Sequence, residues 1–118
     1  MARLRDPRQH ADDILRAIAN IEADTLGVSF EKFAADRRVR QLVERNLEIL
    51  SEASRRIPDH LKAVEPDVPW REIAGIGNVL RHEYGEVRPD VLWRVRIRRL
   101  ATLKAAVERI VAHLGAGA

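Results

Sequence analysis

Residues 36–57 read DRRVRQLVERNLEILSEASRRI and carry the clearest structural signal in the 118-residue chain. Apolar side chains recur there at spacings of three and four residues, which places them on one face of an α-helix. Pro58 follows directly and ends the helix, because proline has no amide hydrogen to continue the hydrogen-bond ladder. The stretch therefore predicts a long amphipathic helix that buries one face in a core. That face comprises Val39, Leu42, Val43, Leu50, Ala53 and Ile57.

One polar residue, Asn46, interrupts this apolar face, four residues after Leu42 and four before Leu50. A buried side-chain amide needs hydrogen-bond partners. We expect Asn46 to be a satisfied core or interface residue, with a functional role as the alternative.

The same helical spacing recurs in three other stretches. The first helix is predicted to begin at Asp6-Pro7, an acidic N-cap followed by proline in the first turn, and to end at Gly27. Aromatic residues make up only 4% of the chain and no stretch alternates apolar and polar residues, so strands are not expected. The other predicted elements are a short turn at 30–35 that docks its phenylalanines on the core, a connection at 60–69 with a short helical turn, a helix at 70–84 and a last helix at 89–114.

Four main helices with short connections are typical of an antiparallel bundle. The sequence therefore predicts an all-α fold, an antiparallel helical bundle of four main helices plus short helical turns. The length is that of one ordinary domain, which would span residues 1–118.

Charge and composition exclude several classes of protein. Lysine and arginine number 21, of which 18 are arginine, against 18 acidic residues, and a net charge of +3 is too small to establish nucleic-acid binding. No apolar run approaches the roughly 20 residues that span a bilayer, and no apolar segment follows the N-terminal arginines as it would in a signal peptide. Cysteine is absent, which excludes disulfides, thiolate metal sites and cysteine nucleophiles. We therefore expect a cytoplasmic protein that does not associate with membranes.

Patterns for a bound cofactor or metal are missing as well. The chain has no Gly-rich phosphate loop and no Gly-x-Ser-x-Gly nucleophile motif. We expect neither a cofactor nor a metal, which directs attention to the helix at 70–84. The histidines are scattered without the spacing of metal ligands, at His10, His60, His82 and His113.

A polar edge lies near the end of that helix. Asn78 and His82 are four residues apart and share one helical face, while Arg81 and Tyr84 lie on an adjoining face. A histidine there can move a proton near neutral pH, and an arginine can hold a phosphate through two parallel hydrogen bonds. From the residue types alone, this edge is either a catalytic site or a hydrogen-bonded surface network.

The segment Gly77-Asn-Val-Leu-Arg-His-Glu-Tyr84 resembles the signature R-N-x-x-x-H-x-Y of the HepT-like toxins in the HEPN superfamily, which are small all-helical proteins. The flanks are similar too, since Trp70-Arg-Glu-Ile precedes the motif and Val87 and the stretch Val91-Leu-Trp follow it. Residues 33–38 and 47–53 also resemble the second helix of that family. The resemblance therefore covers almost the whole chain.

This resemblance implies a metal-independent RNA endonuclease that acts as the toxin of a toxin–antitoxin pair. Such toxins are homodimers that bring two motifs together across a cleft. Carried over by position, His82 would transfer the proton while an RNA 2′-hydroxyl attacks the adjacent phosphate, and Asn78 would orient the site or the phosphate. Tyr84 would be the tyrosine that a nucleotidyltransferase antitoxin modifies with AMP, which blocks the cleft with bulk and negative charge.

The chain departs from the family signature at one position, because Gly77 stands where the signature has arginine. Losing one such donor to the transition state commonly costs roughly 10²–10³ in rate. Arg81, one helical turn away, is a candidate replacement, and a solvated surface role is its alternative. The alternative function is a catalytically degenerate bundle that binds a nucleotide or a partner.

Gly75 and Gly77 in one helix indicate close backbone packing, because glycine otherwise weakens a helix.

Overall fold

The computed structural model of the chain describes residues 6–82 and 88–116, with the backbone alone at 81, 82 and 116. Within these residues the chain forms four long helices and two short ones, and no strand. The predicted all-α bundle of four main helices plus short helical turns is therefore confirmed. The helices are α1 (Pro7–Thr25), α2 (Phe30–Ala35), α3 (Arg37–Arg56), α4 (Asp59–Lys62), α5 (Trp70–His82) and α6 (Pro89–Ala116).

Local sequence signals account for the helix ends. The Asp6 carboxylate accepts a hydrogen bond from the first turn of α1, and the Gln9 side chain accepts one from the Asp6 backbone N–H, which together form a capping box. Gly27 follows α1 with a φ of 70°, a left-handed conformation that glycine adopts without strain. Asp36 caps α3 through its carboxylate, and α3 ends before Pro58, as predicted.

Helix α3 occupies the centre of the bundle, where it packs against α1 and α5 and also contacts α2 and α6. Helix α1 packs in addition against α6. Each long helix contributes aliphatic side chains to one shared core, so the predicted apolar faces of α1, α3 and α6 are confirmed in outline. Fully buried members include Ile14, Ile18, Ile21, Val43, Leu50, Ile73, Leu103, Val107 and Ile110.

Two predicted core residues are not buried. Leu42 is 49% exposed, because it lies about 100° around α3 from Val43 and none of the described helices covers that edge. Phe33 is fully buried, whereas Phe30 is 36% exposed and contacts the edge of the Trp93 ring at a centroid distance of 5.9 Å. The prediction that both phenylalanines dock on the core is therefore correct only for Phe33.

The polar residue in the face of α3 is satisfied, as predicted. The Asn46 side chain is almost fully buried and donates a hydrogen bond to the Leu42 carbonyl at 2.9 Å. Its amide oxygen accepts one from the Asn20 side chain on α1 at 3.2 Å. Asn46 thus joins α1 to α3 and has a structural role.

The connection before α5 is held in place by hydrogen bonds and one ion pair. The Trp70 indole N–H, at the first residue of α5, donates to the Lys62 carbonyl at 3.2 Å and to the Glu65 carbonyl at 3.1 Å. The Glu65 carboxylate forms an ion pair with Arg109 on α6 at 2.6 Å. These contacts fix the start of α5 relative to the rest of the bundle. None of the described helices is long and apolar enough to cross a membrane.

Candidate active site

Helix α5 carries Asn78, the first residue of the predicted polar edge, at the surface of the bundle. Ile73 is buried, and Ile76 and Leu80 pack against the core, as their spacing predicts. Asn78 lies on a different face and is exposed. The apolar side of α5 therefore anchors the helix, and its other side is available to a ligand.

A buried serine of α3 binds the backbone of α5 in the turn just before Asn78. The Ser51 hydroxyl is 1% exposed and donates a hydrogen bond to the Ala74 carbonyl at 2.9 Å. The same hydroxyl accepts a hydrogen bond from the Gly77 N–H, also at 2.9 Å. Ser51 thus bonds to both ends of one helical turn and sets the distance between α3 and α5 at this level.

Arg55, one turn further along α3, binds the same carbonyl from the solvent side. Its Nε donates to the Ala74 carbonyl at 3.1 Å and its Nη2 donates at 2.9 Å. The Arg55 side chain is 39% exposed, and its Nη1 lies 3.9 Å from the Glu52 carboxylate. We call Ser51 and Arg55 together the α3 clamp, since both hold the turn of α5 that leads to Asn78.

The described part of α5 brings together some of the predicted site residues. The backbone of α5 is helical through His82, so Asn78 and His82, four residues apart, lie on one face as the sequence predicts. The side chains of Arg81 and His82 are not among the described atoms, and Tyr84 lies outside the described residues. The roles assigned to Asn78, Arg81, His82 and Tyr84 remain predictions.

The two glycines of α5 have different environments. Gly77 is buried, and its N–H reaches the Ser51 hydroxyl, so close packing of α3 and α5 occurs at this position. A Cβ atom at Gly75 would meet no other atom within 4 Å, so close packing does not explain that residue. The position at which the family signature has arginine is therefore an interior position of the α3–α5 interface in this chain.

Sequence reasoning did not identify the α3 clamp. The available signal was modest: Ser51 and Ser54 are small polar residues next to Leu50 and Ala53 of the predicted core face. Small polar residues at such positions indicate a polar contact with a neighbouring helix. They do not indicate which helix or which atoms, and the sequence spacing of Arg55 carries no further information.

Electrostatic contacts tie the site helix to α6 as well. The Glu72 carboxylate on α5 pairs with Arg99 on α6 at 3.0 Å. Near the start of α5, the Arg109 guanidinium donates hydrogen bonds to Glu65 and thereby lowers the pKa of that carboxyl below its usual range. Among residues 6–82 and 88–116, no group of three or more acidic or histidine side chains is arranged to hold a metal ion.

Comparison with known proteins establishes the family. A family model described as Ribonuclease HepT-like matches residues 14–110, which include α5 and nearly all of the helical core. The chain belongs to the HepT-like ribonuclease family. The family resemblance inferred from the motif near Asn78 is thereby confirmed.

Relatives of the HepT-like chain are similar along almost their whole length. A protein of Thermococcus cleftensis named "Probable ribonuclease HepT" is 37% identical over 90% of this chain and 96% of its own. Candidate RNases of Caldanaerobacter subterraneus and Methanocaldococcus jannaschii are 31% and 32% identical, over 92% and 88% of this chain and 96% and 95% of their own. No solved structure matches the chain significantly.

Proposed function

We propose that this HepT-like protein is a metal-independent RNA endonuclease and the toxin of a toxin–antitoxin pair. The observation that carries the proposal is the placement of Asn78 and His82 on one face of α5, with Asn78 exposed, in a chain of the HepT-like ribonuclease family. Its relatives named as ribonucleases support RNA as the substrate. Neither a metal nor a cofactor takes part in the proposed reaction.

The proposed chemistry is an attack within the RNA chain. The 2′-hydroxyl oxygen bonds to the adjacent phosphorus and loses its proton, the bond from phosphorus to the 5′-oxygen breaks, and that oxygen gains a proton. The products are a 2′,3′-cyclic phosphate and a 5′-hydroxyl. His82 is the proton-transfer residue, because imidazole exchanges protons near neutral pH. Asn78 orients the phosphate or the imidazole through its side-chain amide.

A homodimer with two motifs at one cleft is the proposed assembly. Val79, the neighbour of Asn78, is 51% exposed. Exposed apolar side chains near a polar site are typical of protein–protein interfaces. The location of Val79 supports a second copy of the chain next to the motif.

The proposed partner is a nucleotidyltransferase antitoxin that transfers AMP to Tyr84. The added phosphodiester would bring a negative charge and the bulk of an adenosine close to the motif, where it would repel an RNA phosphate and block the cleft. Intact-mass measurement after coexpression with a nucleotidyltransferase encoded beside this chain tests the proposal. A mass increase that maps to Tyr84 supports it, and an unmodified Tyr84 in an inactive complex contradicts it.

A degenerate bundle that binds a nucleotide or a partner is the second candidate function. One observation favours it: Gly77 is buried and stands where the family signature has an arginine. Such a protein would retain the fold and the dimer surface without cleaving RNA.

Cleavage of a labelled single-stranded RNA in EDTA distinguishes the two functions. We expect cleavage by the wild type and by His113→Ala, an exposed histidine at the far end of α6, and none by His82→Ala. Equal cleavage by the wild type and His82→Ala contradicts the nuclease. Absence of cleavage in EDTA with activity restored by a divalent ion contradicts metal independence alone. If the wild type is inactive and Gly77→Arg is active, the native chain is the degenerate form.

A further inference from the structure

We propose that Arg55 is an RNA-binding residue that holds a phosphate beside the cleaved one. This inference rests on the proposed ribonuclease function. It concerns a residue of α3, outside the motif on α5, and it depends on how the two helices pack.

The Arg55 guanidinium lies against the backbone of α5 near Asn78. Arg55 donates two hydrogen bonds to the Ala74 carbonyl, from Nε at 3.1 Å and Nη2 at 2.9 Å. In an α-helix, the carbonyl of residue 74 points toward the N–H of residue 78. The guanidinium is therefore beside the helical turn that ends at Asn78, and Ala74, Asn78 and His82 follow one another at intervals of four on one face.

The Arg55 guanidinium has N–H donors that are available to a ligand. Arginine has five N–H donors, and the bonds to Ala74 use one on Nε and one on Nη2. The nearest carboxylate, on Glu52, is 3.9 Å from Nη1, too far for a hydrogen bond, and that carboxylate already accepts two bonds from Arg56. The Arg55 side chain is 39% exposed. Donors on Nη1 and Nη2 therefore remain for a phosphate that approaches from solvent.

The position of Arg55 along α5 indicates which phosphate of an RNA strand it would bind. Eight residues separate Ala74 from His82, which is about 12 Å along the helix axis at 1.5 Å per residue. That separation favours two different phosphates over one that both side chains share. It suits an RNA strand that runs along the exposed side of α5, with the cleaved phosphate at His82 and a flanking phosphate at Arg55.

Arg55 is also held ready for this role. Its two bonds to a backbone carbonyl fix the plane of the guanidinium before RNA arrives, so binding costs less side-chain entropy than for a free surface arginine. Arg56, its neighbour in sequence, donates two hydrogen bonds to the Glu52 carboxylate on its own helix. Arg56 is therefore the control: it has the same charge on the same helix, its side chain is 64% exposed against 39% for Arg55, and it makes no hydrogen bond or ion pair with the described residues of α5.

Binding of RNA that cannot be cleaved tests the inference apart from catalysis. The probe is a fluorescein-labelled single strand with 2′-O-methyl groups throughout, and its Kd is measured by anisotropy at several salt concentrations. We expect Arg55→Gln to bind about tenfold more weakly than the wild type, since a hydrogen bond to a charged group is lost. The slope of log K against log salt should fall by roughly 0.7, the value for one phosphate contact on a single strand. Arg55→Lys should keep the slope, and Arg56→Gln should keep both the slope and the Kd.

The separate effects of Arg55→Gln on KM and on kcat distinguish a role in RNA binding from a purely structural role. A flanking phosphate contact contributes equally to the ground state and the transition state, so Arg55→Gln should raise KM and leave kcat within a few-fold of the wild type. A change in kcat with no change in Kd or salt slope would mean that Arg55 only positions α5, and would overturn the inference. Kd values for Arg55→Gln equal to those for Arg56→Gln would overturn it too.

Protection of arginines from chemical modification by bound RNA tests the inference on the wild-type protein, without a substitution. Phenylglyoxal modifies exposed arginines, and mass spectrometry reports each site. We expect the 2′-O-methyl RNA to protect Arg55 several-fold and to leave Arg56 reactive, and equal protection of both contradicts the inference. If the wild type cleaves RNA through His82 but Arg55 fails these tests, only this inference falls. If the wild type neither binds nor cleaves RNA, the proposed function itself falls.

Discussion

Removal of the Ser51 hydroxyl should destabilise the bundle and loosen the site helix. The hydroxyl is 1% exposed and makes two hydrogen bonds of 2.9 Å, one to the Ala74 carbonyl and one from the Gly77 N–H. In Ser51→Ala neither bond can form, and water cannot enter without disturbing the packing of α3 against α5. A hydrogen bond contributes about 0.5–1.5 kcal/mol net, so the loss of these two costs about 1–3 kcal/mol.

This free energy converts to a measurable shift in melting temperature. The entropy of unfolding is about 2.1 cal/mol/K per residue, which gives roughly 0.25 kcal/mol/K for 118 residues. A loss of about 1–3 kcal/mol therefore lowers Tm by about 4–12 °C. Scanning calorimetry or thermal denaturation followed by circular dichroism measures this directly.

Ser54→Ala is the matched control for this variant. Ser54 is fully buried on the same helix, but its hydroxyl donates to the Ser51 carbonyl at 2.7 Å, within α3, and does not bond to α5. We expect it to cost about 1 kcal/mol or less. Amide exchange at Gly77 should accelerate in Ser51→Ala and stay unchanged in Ser54→Ala. If the two variants have the same Tm and the same exchange at Gly77, the hydroxyl does not join the helices as described.

Three further predictions concern the packing and charge of the bundle. Phe33→Ala should cost about 3–5 kcal/mol and lower Tm by about 12–20 °C, since Phe33 is fully buried, and calorimetry should show less than half that shift for Phe30→Ala, which starts from 36% exposure. Asn46→Ala should lower Tm by about 4 °C, because two hydrogen bonds between polar groups are lost, and an unchanged Tm would contradict the structural role assigned to it. Arg109 lowers the pKa of Glu65, so the stabilisation is present above the ordinary pKa of the carboxyl and is lost as the pH falls through the lowered pKa of the folded state. Glu65→Gln should therefore lower Tm at neutral pH and weaken its dependence on pH on the acidic side, whereas parallel Tm curves for the variant and the wild type would contradict this linkage.

Helix positions were predictable from the sequence because they depend on local signals. The apolar spacing, the cap at Asp6 and the stop at Pro58 each act within a few residues, so the sequence predicts the bounds of α1 and α3 closely. The common face of Asn78 and His82 was predictable for the same reason, since helix geometry alone sets it.

Contacts between helices were not predictable because they depend on how one helix sits against another. Leu42 fits the apolar pattern of α3, but its exposure follows from the absence of a covering helix among the described elements. The bonds from Ser51 and Arg55 to Ala74 require one relative placement of α3 and α5, which a single sequence does not specify. The same placement buries Gly77 between α3 and α5, so the absence of an arginine at this position affects helix packing as well as the chemistry of the site.

The most direct test of the proposed function is the formation of 2′,3′-cyclic phosphate ends from single-stranded RNA by the wild type and by His82→Ala. Both proteins should be compared in EDTA at equal concentration after their Tm values have been shown to agree. The proposed function predicts that the wild type forms these ends and that His82→Ala reduces their rate to the uncatalysed background. Equal rates for the two proteins would contradict it.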